Sequence, residues 1–191
     1  MKESQEKLKT RILDGAIELF IEKGIDKVTT RDLTERLGLS RSHIYHYFHG
    51  WEQLSVEAMT YYLKKDLDDV AEKIALLPPA EKLDEFITIY LPSGPDTVWQ
   101  LYGSLWQLAV HSQVWSELAE LMSDRWGKLL EEIILNGIVA GVFTIKNPGC
   151  LTRQLGAMLN GYSDQLLVTS RAEYRKQVRD DINAFIRVAM Y

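Results

Sequence analysis

The stretch DLTERLGLSRSHIYHYFHG, residues 32–50, decides the fold. Leu33 and Leu37 stand one helical turn apart, Gly38 breaks the pattern, Ser40 can cap a new helix, and Ile44 is its first apolar residue. Two short helices joined by a tight glycine turn can cross steeply and expose the second, the helix-turn-helix arrangement that lays a recognition helix in the major groove. Leu33, Leu37, Leu39 and Ile44 would fill a small core beneath the two helices. The second helix then turns Arg41, Ser42, His43, Tyr45 and His46 outward. Residues 39–54 hold three of the four histidines, two of the nine tyrosines and one of the five tryptophans. A buried core does not look like this, whereas short and ring-bearing donors of this kind can reach base edges or phosphate oxygens.

Upstream, Leu8, Ile12, Ala16, Leu19 and Phe20 mark one face of a first helix that can roof that core, with Gly24 placed for a left-handed cap. Thr29 stands three residues before Asp32, an approximate capping box opening the second helix. The third is expected to run from Ser40 to about Phe48 before Gly50 interrupts the chain. Downstream, apolar residues keep helical spacing almost throughout, and no alternating strand pattern of useful length occurs. Helices are expected from Trp51 to about Leu77, stopped by Pro78 and Pro79, then near 80–91, closed by PSGP at 92–95. Others follow near 97–110, 113–137, 150–169 and 173–189, with KNPG at 146–149 as the last punctuation. The fold class is all-α, with a three-helix head at 1–50 and a larger helical body at 51–191.

At 191 residues and 46% apolar content, the chain can bury a substantial core. The amino terminus lacks the apolar run of a signal peptide, no stretch approaches the roughly 20 apolar residues of a membrane helix, and a cytoplasmic location without membrane contact is expected. Cys150 is the single cysteine, so stability must come from packing, with neither an internal disulfide nor a cysteine-based zinc site. The formal charge of -5 argues against nucleic acid only on average. Residues 1–50 carry nine Lys or Arg against eight Asp or Glu, whereas 51–191 carry 13 against 19. Lys2, Lys7, Lys9 and Arg11 cluster at the start, with Arg31, Arg36 and Arg41 further on. Basic groups gathered on one face can still bind phosphate, although the same charges also suit a solvated surface.

The run TTRDLTERLGLSRSHIYHYFHGWEQL resembles the amino-terminal signature of the tetracycline-repressor (TetR) family of bacterial transcription regulators, over roughly residues 10 to 56. Tyr45, Tyr47, Phe48, Glu52 and Leu54 fall on the signature's positions. Four positions depart from it. Ser42 and His43 stand where a Gly-Thr pair is expected, Trp51 replaces a lysine, and Thr34 replaces a small alanine. The first change implies a different base preference, and the second removes a phosphate contact at the start of the fourth helix. The resemblance implies phosphate contacts from Thr29, Thr30, Ser40 and Tyr47, with Arg31 in the same DNA-facing set, and base contacts or a mixture from Arg41, Ser42, His43, Tyr45 and His46.

The resemblance further implies a ligand-responsive regulator, most commonly a repressor, released from a palindromic double-stranded DNA operator by a small molecule. A palindrome needs two recognition helices about 34 Å apart, hence a homodimer. The family forms it through the last two long helices, whose apolar stripes would equally suit the chain's own core. The effector is expected in the body, where Trp99, Tyr102, Trp106, His111, Trp115 and Trp126 concentrate. Such rings suit a flat aromatic compound or a cation held over ring faces, and they also suit an ordinary core. The run WQLYGSLWQLAVHSQVW is similar to the choline-responsive BetI-type subgroup. Asn160 and Asp164 are further polar anchors for a ligand, or ordinary interhelical partners.

No phosphate loop, nucleophile elbow, HExxH or EF-hand pattern occurs, so no enzyme and no cofactor are expected. His43 and His46 have a spacing that can present two metal ligands, but no carboxylate or cysteine completes a set, and no metal site is expected.

Overall fold

The structure, a computed structural model, describes residues 5–94, 96–169 and 171–190. Lys2 of the basic cluster and Pro95 of the PSGP breaker lie outside them. Among the described residues there are nine α-helices and no strand: α1 (Gln5–Lys23), α2 (Thr30–Leu37), α3 (Arg41–Tyr45), α4 (Trp51–Ile74), α5 (Pro79–Tyr90), α6 (Thr97–Ala109), α7 (Gln113–Val139), α8 (Pro148–Val168) and α9 (Ala172–Met190). The all-helical expectation holds, and so do the elements read from apolar periodicity.

Three boundaries differ from expectation. Gly24 has positive φ, but at φ 86° and ψ 142° it is not the left-handed cap expected; it opens a 3-10 turn over Ile25–Lys27. Helix α3 stops at Tyr45, because His46 and Tyr47 donate their backbone N–H groups to Ser42 and Ile44 as a turn. Helix α4 ends at Ile74, three residues early, where Leu77 closes a looser turn onto Ile74.

Two compact units are present. One comprises the described part of Met1–Asp66 together with Gln100–Glu120, the other Leu67–Trp99 with Leu121–Tyr191. In the first, α1 buries Ile12, Leu13, Ala16, Ile17, Leu19 and Phe20, and Leu33, Ile44, Phe48, Leu54 and Ala58 complete the core. Leu37 and Leu39 are half-buried, so Leu33 and Ile44, both 0% exposed, do most of the filling expected of the four. Close approach of α1 and α2 depends on Gly15: a Cβ there would lie 2.9 Å from Leu37 Cδ2 and 3.4 Å from Leu33 Cδ1. Trp51 packs edge-on against Phe20 with centroids 6.2 Å apart, so the departure from lysine is used as apolar support for α1. Lys9 joins the same unit twice, through a 2.7 Å ion pair with Glu57 and by lying 5.3 Å over the Phe48 ring.

In the second unit, α5 buries Leu83, Phe86, Ile87 and Tyr90, and α8 buries Leu151, Leu155, Leu159 and Leu166. Ser163, fully buried on α8, donates its hydroxyl to the Tyr90 carbonyl at 3.0 Å. Asn147 caps α8 by accepting the Cys150 N–H at 3.0 Å, and Pro148 occupies the first turn, where a missing N–H costs nothing. Gly137 on α7 lets the buried Phe143 ring pass: a Cβ would sit 2.1 Å from two ring carbons.

Candidate nucleic-acid interface

The head is built from local hydrogen bonds that its sequence specifies. Thr29 caps α2 by accepting the Asp32 N–H, and the Asp32 carboxylate receives the Thr29 N–H at 2.8 Å and hydroxyl at 2.6 Å, a closed capping box. Lys23 donates to the other Asp32 oxygen at 2.6 Å. The lysine first, and then the two Thr29 donors, hold the Asp32 carboxyl well below the usual carboxylate range. Helix α2 ends at Gly38, whose left-handed φ 64° and ψ 31° turn the chain sharply enough for α3 to start at once. Ser40 caps α3, accepting the His43 N–H at 3.3 Å.

Ile44 anchors α3 from below at 0% exposure, and Phe48 does the same just past its end. With the inward side fixed, Arg41, Ser42, His43 and His46 are all exposed, and Tyr45 is 37% exposed. Exposed Arg41 has no hydrogen-bond or ion-pair partner among the described residues. The Ser40 hydroxyl lies 2.9 Å from Ser42 Oγ and 3.0 Å from His43 Nδ1, so these three side chains form one hydrogen-bonded group. Arg31 is exposed and pairs with Glu35 at 2.8 Å. Thr29 and Ser40 are exposed, and Tyr47 is half-buried with its ring edge-on to His46 at 5.2 Å. Thr30 differs from the rest: it is buried, and its hydroxyl pairs with the Tyr45 phenol oxygen at 2.9 Å. Sequence reasoning missed that link, because the partners are fifteen residues apart on different helices.

The second group of candidates divides. Trp99 and Trp126 flank Tyr90, with centroids 4.8 Å and 5.1 Å away and interplanar angles of 63° and 85°, and Phe86 meets Trp126 at 5.8 Å. The Tyr90 phenol donates to Asn160 Oδ1 at 2.5 Å. Burial, and then the negative charge of Asp164, push the Tyr90 phenol well above its ordinary value of 10.0. Trp99, Trp126, Asn160 and Asp164 therefore converge on Tyr90, which the sequence reading did not single out. The signal was available in Phe86 and Tyr90, one turn apart on the inner face of α5. Tyr102 and Trp115 are buried, whereas Trp106 is exposed, so they do not form one continuous wall. His111 instead lines an open groove of about 440 Å³ with Ile25, Asp26, Ser104, Gln107, Leu108 and Val110. Among the described residues no three His, Cys, Asp or Glu side chains come together as a metal-binding set, and no helix is long and apolar enough to cross a membrane.

A capped short helix, a left-handed glycine turn and a second helix with its polar side outward define the class of helix-turn-helix proteins. Residues 12–58 match the family described as bacterial regulatory proteins, tetR family. No curated protein matches the chain. Among solved structures, a candidate transcriptional regulator from Saccharomonospora viridis in complex with choline is 23% identical, covering 97% of this chain and 98% of its own, with a TM-score of 0.83. A TetR transcription regulator from Haloarcula marismortui is 17% identical, covering 97% and 100%, with a TM-score of 0.83. PfmR, a TetR-family regulator from Thermus thermophilus, is 23% identical, covering 93% and 97%, with a TM-score of 0.63. The shared fold thus extends over nearly the whole chain.

Proposed function

We propose that this chain is a ligand-responsive DNA-binding transcription regulator, a cytoplasmic repressor that leaves a palindromic operator when a small molecule binds, and not an enzyme. The observation that carries this reading is the outward set Arg41, Ser42 and His43 on a helix seated by fully buried Ile44, with exposed His46 at its C-terminal cap, within a segment that matches the tetR family. Residues 1–50 act as the DNA-binding head, with Thr29, Arg31, Tyr47 and the backbone N–H of Ser40 at phosphates and the outward face of α3 at bases. Residues 51–191 carry effector binding and dimerisation.

The dimer reading draws support from α8 and α9. Their stripes are only partly spent inside the chain: Leu155, Leu159, Val178 and Ile182 are buried, but Met158, Tyr162, Phe185 and Ile186 remain half-exposed. The effector reading rests on Phe86, Tyr90, Trp99 and Trp126, with Asn160 and the Asp164 carboxylate beside them. Ring faces and a nearby negative charge suit a cation, and the Saccharomonospora relative was solved in complex with choline. An effector that prefers the arrangement unable to bind DNA weakens operator affinity by the same factor by which the operator weakens effector affinity, typically about 1–3 kcal/mol of coupling.

The test is a gel shift against random duplex across a range of salt, followed by addition of choline to the complex with a selected duplex. Binding whose affinity falls steeply with salt, and release by choline, are expected. Absence of any salt-dependent binding overturns the regulator reading, and binding that choline leaves unchanged overturns the cationic effector.

A further inference from the structure

The hydroxyl of Ser40 has one hydrogen to give and two lone pairs to receive with. One lone pair already takes the His43 backbone N–H at 3.3 Å. One hydrogen and one lone pair remain for the two other neighbours, Ser42 Oγ at 2.9 Å and His43 Nδ1 at 3.0 Å. Only two arrangements then satisfy the group while His43 is neutral. In the first, Ser42 donates to Ser40 and Ser40 donates to Nδ1, so Nε2 carries the imidazole hydrogen as a free donor and Ser42 is left with acceptor lone pairs. In the second, every hydrogen moves the other way: Nδ1–H donates to Ser40, Ser40 donates to Ser42, Nε2 becomes an acceptor, and Ser42 keeps a free donor. Both side chains are exposed, and neither has a further partner among the described residues. What the surface offers while His43 is neutral is therefore one donor and one acceptor, in either order, and not two donors.

We propose that Ser42 and His43, coupled through Ser40, read one base edge as a unit and select adenine over guanine in the operator half-site. Adenine shows an acceptor, N7, beside a donor, the N6 amino group, in the major groove; guanine shows two acceptors, N7 and O6. Adenine satisfies the pair in one order or the other. Guanine forces one acceptor against another, whichever way the hydrogens run. The two residues are those that stand where the family signature has a Gly-Thr pair, so the preference belongs to this chain and not to the signature. The proposal rests on the DNA-binding reading given above.

The experiment is enrichment of bound sequences from a random duplex library, using the full chain and three variants. The base read is the position whose preference changes on His43→Arg. There the unsubstituted chain selects adenine by roughly 5- to 150-fold over guanine, and His43→Arg, which presents only donors, selects guanine. His43→Gln keeps adenine, because its carboxamide carries a donor and an acceptor together. Ser42→Ala, a change at an exposed position, keeps the fold and brings the adenine preference towards parity. Guanine at that position in the unsubstituted chain, or full discrimination surviving Ser42→Ala, overturns the coupled reading while leaving DNA binding standing. If the unsubstituted chain enriches no sequence, the DNA-binding reading fails, and this proposal with it.

Discussion

Tyr45→Phe separates a tether from a base contact. The Tyr45 phenol oxygen lies 2.9 Å from the hydroxyl of Thr30, the first residue of α2, and Thr30 is only 7% exposed. Removing the phenol oxygen loses one hydrogen bond, a net of about 0.5–1.5 kcal/mol, and a fully stranded buried hydroxyl would raise the cost to about 1–3 kcal/mol. Tyr45 is 37% exposed, so water can reach this end of the pair, and the lower figure applies. We expect a loss of about 1 kcal/mol of stability. Thr30→Val keeps the shape of the side chain and removes the other half of the pair, at a similar cost. The two changes together should cost little more than either alone, giving a coupling of about 1 kcal/mol in a double-mutant cycle. The assay is urea unfolding followed by helical circular dichroism on the four proteins at one concentration, so that any dimerisation contributes equally. Costs that simply add, within about 0.3 kcal/mol, would refute the tether and return the Tyr45 hydroxyl to the DNA-reading set.

Gly137→Ala should lower stability by about 1–3 kcal/mol or more, because its Cβ would lie 2.1 Å from the buried Phe143 ring; an unchanged melting temperature contradicts that packing. Gly38→Ala should cost about 1–2 kcal/mol from its left-handed φ of 64° alone, since a Cβ there meets nothing within 4 Å. Gly38→Asn, which tolerates that conformation, should cost less, and equal costs in thermal melts would show that φ is not the cause. Burial and Asp164 raise the Tyr90 phenol above its ordinary 10.0, so folding keeps a proton that the unfolded chain releases. That contribution is complete below pH about 10 and is lost as pH rises towards the folded value. Urea midpoints should therefore fall more steeply above pH 10 than in Tyr90→Phe; parallel curves would remove Tyr90 as the source.

The helices were legible wherever the determinant is local. Thr29 with Asp32, Ser40, and Gly38 act within a few residues of themselves, and the structure keeps the helix starts and the turn they imply. Stops that depend on packing were not legible: α3 ends three residues before Phe48, because the backbone of His46 and Tyr47 turns so that Phe48 can enter the core. Contacts between helices were harder still. Helical spacing grouped Trp99, Tyr102 and Trp106 on one face, yet Tyr102 is buried, Trp106 is exposed, and Trp99 packs against Tyr90 from α5. Spacing along one helix fixes which residues share a side, but not which other helix covers that side. The Ser40–His43 bond was within reach of the sequence, since a capping serine three residues before an imidazole can meet it; the Thr30–Tyr45 pair was not.

The central claim, that the outward side of α3 reads DNA, is tested most directly by titrating an enriched duplex with the full chain and with Arg41→Ala, following fluorescence anisotropy at several salt concentrations. Arg41 is exposed and carries no internal partner among the described residues, so its removal should leave the circular dichroism unchanged. Specific affinity should fall by roughly 5- to 150-fold, with a much smaller loss on random duplex. Equal affinity and equal sequence preference in the two proteins would contradict the account.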